Sequence, residues 1–80
     1  MMEQYVATFH THLAALRSCR ALEKAGAEGA RMAPVPRALS SSCGTCVFYH
    51  GEGPMTPCMD RDLEAVYRGE DYSLVVKGSE

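Results

Sequence analysis

Eighty residues with a net charge of −2, of which 46% are hydrophobic and 22% charged, bound one small globular domain near the lower limit of folding on a core alone. So slight an acidic balance lacks the charge signature of a nucleic-acid or anionic-membrane binder. No apolar run approaches the ~20 residues of a membrane-crossing helix.

The opening Met1-Met2-Glu3-Gln4 has no basic-then-apolar signal layout, so a cytoplasmic protein is the expectation. Four cysteines, Cys19, Cys43, Cys46 and Cys58, would suit two disulfides in a secreted module. In a reducing cytosol a Cys-x-x-Cys pair points instead to redox chemistry or metal binding.

In chain order, the β-branched and aromatic run over 4–9 predicts a strand ending at His10. Thr11 is placed to cap a helix over 12–25, in which Leu13, Leu16, Cys19 and Leu22 form an apolar stripe. Gly26 suits its left-handed end. A short second strand over 30–33 is cut off by Pro34 and Pro36, which cannot donate ladder hydrogen bonds. A serine-rich loop leads to a third strand over 46–50, and 51–54 is a glycine-rich break. Thr56-Pro57 reads as the start of a second helix, with Met59, Leu63, Val66 and Tyr67 at helical spacing and Gly69 as its stop. A last strand spans 72–77, and 78–80 is a frayed end.

That order, β-α-β-β-α-β over a single domain 1–80, is the ferredoxin-like α+β sandwich: a four-stranded antiparallel sheet with two helices on one face. Right-handed crossovers make the first two strands parallel. The His10-Thr11-His12 turn and the loop over 40–46 then share one sheet edge beside the first helix N-terminus, with Cys58 at the opposite edge.

The stretch with chemical content is Pro34-Val35-Pro36-Arg37-Ala38-Leu39-Ser40-Ser41-Ser42-Cys43-Gly44-Thr45-Cys46. Together with Tyr5-Val6-Ala7-Thr8-Phe9-His10-Thr11-His12-Leu13-Ala14-Ala15-Leu16 and Leu22-Glu23-Lys24-Ala25-Gly26, it resembles the DUF3343 family. Its members are described as selenium/sulfur carrier-like proteins, often encoded near or fused to sulfurtransferase-like domains of the TusA type. The resemblance runs to about His50 and is most specific in Pro-x-Pro-Arg-x-x-Ser-Ser-Ser-Cys-Gly. It implies a carrier thiol on Cys43, followed by Gly44, with His12 and Arg37 in recurring flanking positions. It also implies two partners: a sulfur or selenium donor such as a cysteine desulfurase, and a TusA-like sulfurtransferase or other acceptor. The stretch over 51–58 departs from the family pattern, and Cys46 stands where relatives often carry an apolar residue.

A carrier of this kind takes sulfur or selenium through a thiolate and holds it as a persulfide or selenosulfide. The expected arrangement has Cys43 as nucleophile and Gly44 leaving its sulfur open. Ser40, Ser41 and Ser42 would hydrogen-bond the terminal anion. The first helix N-terminus and His12 or Arg37 would supply positive potential, and His10, in the facing turn, is a further binding candidate. Cys46 is a second thiol if it takes part, and otherwise a strand residue. Cys19, on the apolar stripe, reads as a buried small hydrophobe. Two alternatives use the same pair. One is Zn²⁺ or Cu⁺ held by Cys43 and Cys46 with His10, His12 or His50; the other is thiol–disulfide exchange between the two cysteines. No cofactor fingerprint or phosphate loop is present, so no cofactor is assigned, and a carrier is expected in preference to an enzyme.

Overall fold

β1 (Glu3–Phe9) lies at the middle of the molecule because it offers apolar or small side chains to both faces of a sheet. The structure is a computed structural model describing residues 2–78, except for the side chain of Cys58. The predicted frayed end therefore lies mostly outside the described residues. On one face Tyr5, Ala7 and Phe9 join Ala15, Cys19 and Leu22 of α1 (His12–Lys24) in the core. Tyr5 also stacks on Tyr49, with ring centroids 5.4 Å apart.

The cap predicted for α1 is formed: Thr11 is extended and its hydroxyl accepts from the Ala14 N–H at 3.0 Å. The helix ends at Ala25, followed by Gly26 at φ +96, a conformation that suits glycine. The apolar face matches the predicted stripe only in part: Cys19 and Leu22 lie in the core and Leu16 is half-buried, but Leu13 faces outward. Ala14, Ala15, Ser18, Cys19 and Leu22 are buried, whereas Leu13 is 52% exposed. The sheet supplies the bulk here, through Phe9 and Tyr49. Small helix residues let the backbones approach, so the larger Leu13 faces outward.

β2 (Glu28–Pro34), β3 (Thr45–Gly51), β4 (Leu63–Arg68) and β5 (Ser73–Lys77) complete a sheet of order β2-β3-β1-β4-β5. Every pairing is antiparallel. Because β1 and β2 both run antiparallel to β3, they run parallel to each other, as the crossover rule requires.

The α+β class holds, but the four-strand, two-helix layout does not: the described residues form five strands and one α-helix. The segment expected to continue helically from Pro57 makes a single 3₁₀ turn, Thr56–Cys58, and then becomes β4. Asp60 explains the interruption. Its carboxylate accepts from the Asp62 N–H at 3.0 Å, its carbonyl accepts from the Leu63 N–H at 3.1 Å, and its own N–H donates to Ser18 Oγ at 2.9 Å. Such local bonds divert the backbone from a helix, and the emerging chain pairs with the open edge of β1. The predicted site for Cys58 at a helix start thus falls with the helix, and its side chain lies outside the described residues.

β4 carries an irregularity that matters for the site. Phe9 pairs with Leu63 and Thr8 with Ala65, so Glu64 is the extra residue of a β-bulge. Bulges commonly re-aim a side chain.

Candidate functional site

The loop between β2 and β3 is closed at its neck by the Val35 N–H donating to the Gly44 carbonyl at 3.1 Å, and turned by Leu39 N–H to Pro36 O at 3.0 Å. Gly44 sits at φ +73, and a Cβ built there meets nothing within 4 Å. That positive φ by itself favours glycine at this position.

The parallel run of β1 and β2 brings this loop and the His10-Thr11-His12 turn to one edge, as the topology argument foresaw. Ser41 Oγ donates to the Phe9 carbonyl at 2.9 Å. The Cys43 thiol, half-buried, donates to Phe9 O at 3.3 Å and Thr45 O at 3.5 Å, with Ser41 Oγ at 3.8 Å. Ser42 Oγ lies 3.5 Å from His10 Nδ1, and His12 Nδ1 lies 3.3 Å from Thr45 Oγ1. The His10 N–H is tied to Asp62 O at 2.9 Å. Thus His10, His12, Ser41, Ser42 and Cys43 converge. Ser40 and Arg37 are exposed and make no side-chain bond to this cluster among the described residues.

One member was missed from sequence. Glu64 Oε1 accepts from the Ser42 N–H and from Ser41 Oγ, each at 3.0 Å. Its Oε2 accepts from Ser42 Oγ at 2.9 Å and lies 3.5 Å from His10 Nδ1. Partial burial pushes this carboxyl upward, but the backbone and side-chain donors of Ser42, the Ser41 hydroxyl and His10 outweigh it, and the net shift is downward. A carboxyl lowered on folding stabilises the fold above its unfolded value, near 4.3, and that contribution is lost as pH falls through the lower folded value. Chemical denaturation between pH 3 and 7 is therefore expected to give a shallower acid loss for Glu64→Gln than for the parent chain. Identical slopes would contradict the assignment.

Cys46 has a different setting. It lies in the cross-strand row Ala33-Cys46-Thr8-Ala65, on the sheet face away from α1, and is fully buried. Its Sγ faces Pro34 O at 3.7 Å. Burial pushes the thiol up to about 11, against a lowering by Arg31 and with a further rise from Cys43. Cys19, Cys43 and Cys46 are all free thiols. Cys19 is buried on α1 as expected, its thiol raised first by burial and then by Glu23.

His50 lies four residues beyond Cys46 on β3, opposite Gln4, and so at the far end of the strand from Cys43. Among the described residues, no three His, Cys, Asp or Glu side chains gather as a metal-holding group. A cleft of about 320 Å³ lined by Met2, Gly26, Gly51 and Met55, among others, lies at that far edge.

Residues 4–53, more than half of the chain, match the model of a family described as "Putative Se/S carrier protein-like", which is the DUF3343 family. The matched span contains β1 from Gln4 onward, α1, β2, the Cys43 loop and β3. It ends before Glu64. No curated protein and no solved structure matches the chain.

Proposed function

The chain belongs to the Se/S carrier-like family, and on that footing we propose that it is a small cytoplasmic carrier holding a persulfide or selenosulfide on Cys43. The observation that carries this reading is the placement of Cys43. It is a half-buried free thiol on a loop clamped to one sheet edge by side chains of that loop, the His10-Thr11-His12 turn and β4. Fixed neighbours hold the sulfur at a defined point, and a loop connection can still move it towards a partner.

Loading is an exchange at sulfur. The thiolate of Cys43 attacks the terminal sulfur of a donor persulfide, the donor's S–S bond breaks, and the thiol proton of Cys43 ends on the departing donor thiolate. Delivery repeats the step with an acceptor thiol. A cysteine desulfurase suits the first role, carrying a persulfide for sulfur or the corresponding selenosulfide (R–S–Se⁻) for selenium, and a TusA-like sulfurtransferase the second. The protein is then a substrate of enzymes on either side of it and not itself an enzyme.

In the resting arrangement the thiol gives its proton to carbonyl oxygens of Phe9 and Thr45, and a thiolate has no proton to give. Attack therefore requires the sulfur to leave this shelter. Thiol–disulfide exchange has weaker support, because it asks a second thiolate of the buried Cys46. Intact-mass measurement after incubation with a cysteine desulfurase and cysteine, or with the desulfurase and selenocysteine, should find one added chalcogen atom on the peptide bearing Cys43. Absence of any adduct under conditions that load a known acceptor would overturn the proposal.

A further inference from the structure

The donors around Glu64 form a cradle for negative charge. Three N–H or O–H groups and the His10 ring converge on one carboxylate, that of Glu64, the extra residue of the β-bulge in β4. One of these donors, the Ser41 hydroxyl, also borders the sulfur. Ser41 Oγ is 3.0 Å from Glu64 Oε1 and 3.8 Å from Cys43 Sγ. A second sulfur bonded to Cys43 at about 2.05 Å extends far enough to reach the Ser41 hydroxyl. Each serine hydroxyl has a single proton to donate, so it serves one anion at a time. Ser41 already divides its proton between Phe9 O and Glu64.

We propose that Glu64 is a cargo-sensitive latch on the Cys43 loop. Its carboxylate holds Ser41 and Ser42 while Cys43 is an empty thiol, and the terminal anion of a loaded Cys43 displaces it by competing for the Ser41 hydroxyl. The inference rests on the reading of Cys43 as carrier thiol. The loading step it uses is Cys43–SH with a donor R–S–S⁻ giving Cys43–S–S⁻ and R–SH. The bond formed is between Cys43 Sγ and the transferred sulfur, the bond broken is the donor's S–S bond, and the thiol proton passes to R–S⁻. No net oxidation occurs. The step places a fixed anion on a residue whose neighbours already hold one.

Two like charges at a shared donor set repel each other, and the carboxylate yields because the cargo is tethered there. The empty carrier thus keeps its thiol sheltered against Phe9 O and Thr45 O, and the loaded carrier frees the loop for an acceptor. Glu64 is a positioning residue acting through Ser41 and Ser42. It belongs to β4, outside the family-matched span.

Hydrogen exchange on the full chain tests this with three states of Cys43 and one variant. The states are the free thiol, the persulfide made with inorganic polysulfide and located on Cys43 by peptide mass, and the methylthio disulfide, which has the same S–S bond but no charge. The variant is Glu64→Gln with a free thiol. The persulfide should speed exchange of amides 40–44 about tenfold, as expected for losing bonds to a charged group, while the methylthio form stays at the level of the free thiol. Glu64→Gln should already be fast when empty and gain nothing more on loading. Amides of α1 should keep their rates in every case. Equal acceleration by persulfide and methylthio forms, no acceleration on loading, or parallel acceleration in α1 would overturn the latch and leave the carrier reading standing. Failure of Cys43 to take up sulfur would remove both.

Discussion

A Cys43→Ser chain incubated with a sulfur or selenium donor should gain no chalcogen mass, a drop of at least ~100-fold, whereas Cys46→Ser should load like the parent. The contrast follows from two thiols three residues apart in unlike surroundings. Cys43 is half-buried on a loop, with backbone carbonyls and a hydroxyl around its sulfur. Cys46 is fully buried in a strand, and with its thiol pushed up to about 11 only on the order of one molecule in ten thousand carries the thiolate at pH 7. A serine at position 46 keeps a donor facing Pro34 O, so the fold should tolerate it. Loss of loading in both variants would establish a paired-thiol mechanism, and an adduct that persists in Cys43→Ser would move the carrier role to another cysteine. Either result contradicts the single-thiol reading.

Most of this site was legible in the sequence because it depends on topology more than on detail. Thr11, Gly26 and the apolar runs mark β1 and α1, and parallel β1 and β2 are enough to set the His10-Thr11-His12 turn against the Cys43 loop. Leu13 was misread because helical spacing cannot tell which of two adjacent stripes meets the sheet. Ala14, Ala15 and Ser18 win since the opposing sheet residues are large. β4 was misread for a related reason. Its bulge leaves Leu63 and Val66 in the same core cluster, three residues apart, and a three-residue interval between apolar side chains imitates a helix. Glu64 disappeared with that misreading, since on a helix it would have been an ordinary solvent-facing carboxylate. The available signals were Asp60 and Asp62 just ahead of it, residues that favour turns over helix continuation.

Phe9→Ala should destabilise the protein by about 3–5 kcal/mol, the usual range for removing a buried aromatic ring. Phe9 is fully buried and pairs with Leu63 at the bulge, so neighbours cannot easily collapse into the space. A chain of this length has a total stability of roughly 4–12 kcal/mol, and the midpoint of thermal unfolding should fall by at least roughly 12 °C. The site should suffer with the core. The Phe9 carbonyl accepts both the Ser41 hydroxyl and the Cys43 thiol, and the backbone that presents it is fixed by the ring beneath. Leu13→Ala is the matched control: an apolar residue of the predicted stripe that is 52% exposed, where truncation should change stability by no more than about 0.5 kcal/mol. Thermal melts followed by circular dichroism separate the two, and a Leu13→Ala loss comparable to that of Phe9→Ala would refute the helix face described above. The end of β1 thus anchors the core on one side and the carrier loop on the other, so a defect in packing at Phe9 is at once a defect in where Cys43 is held.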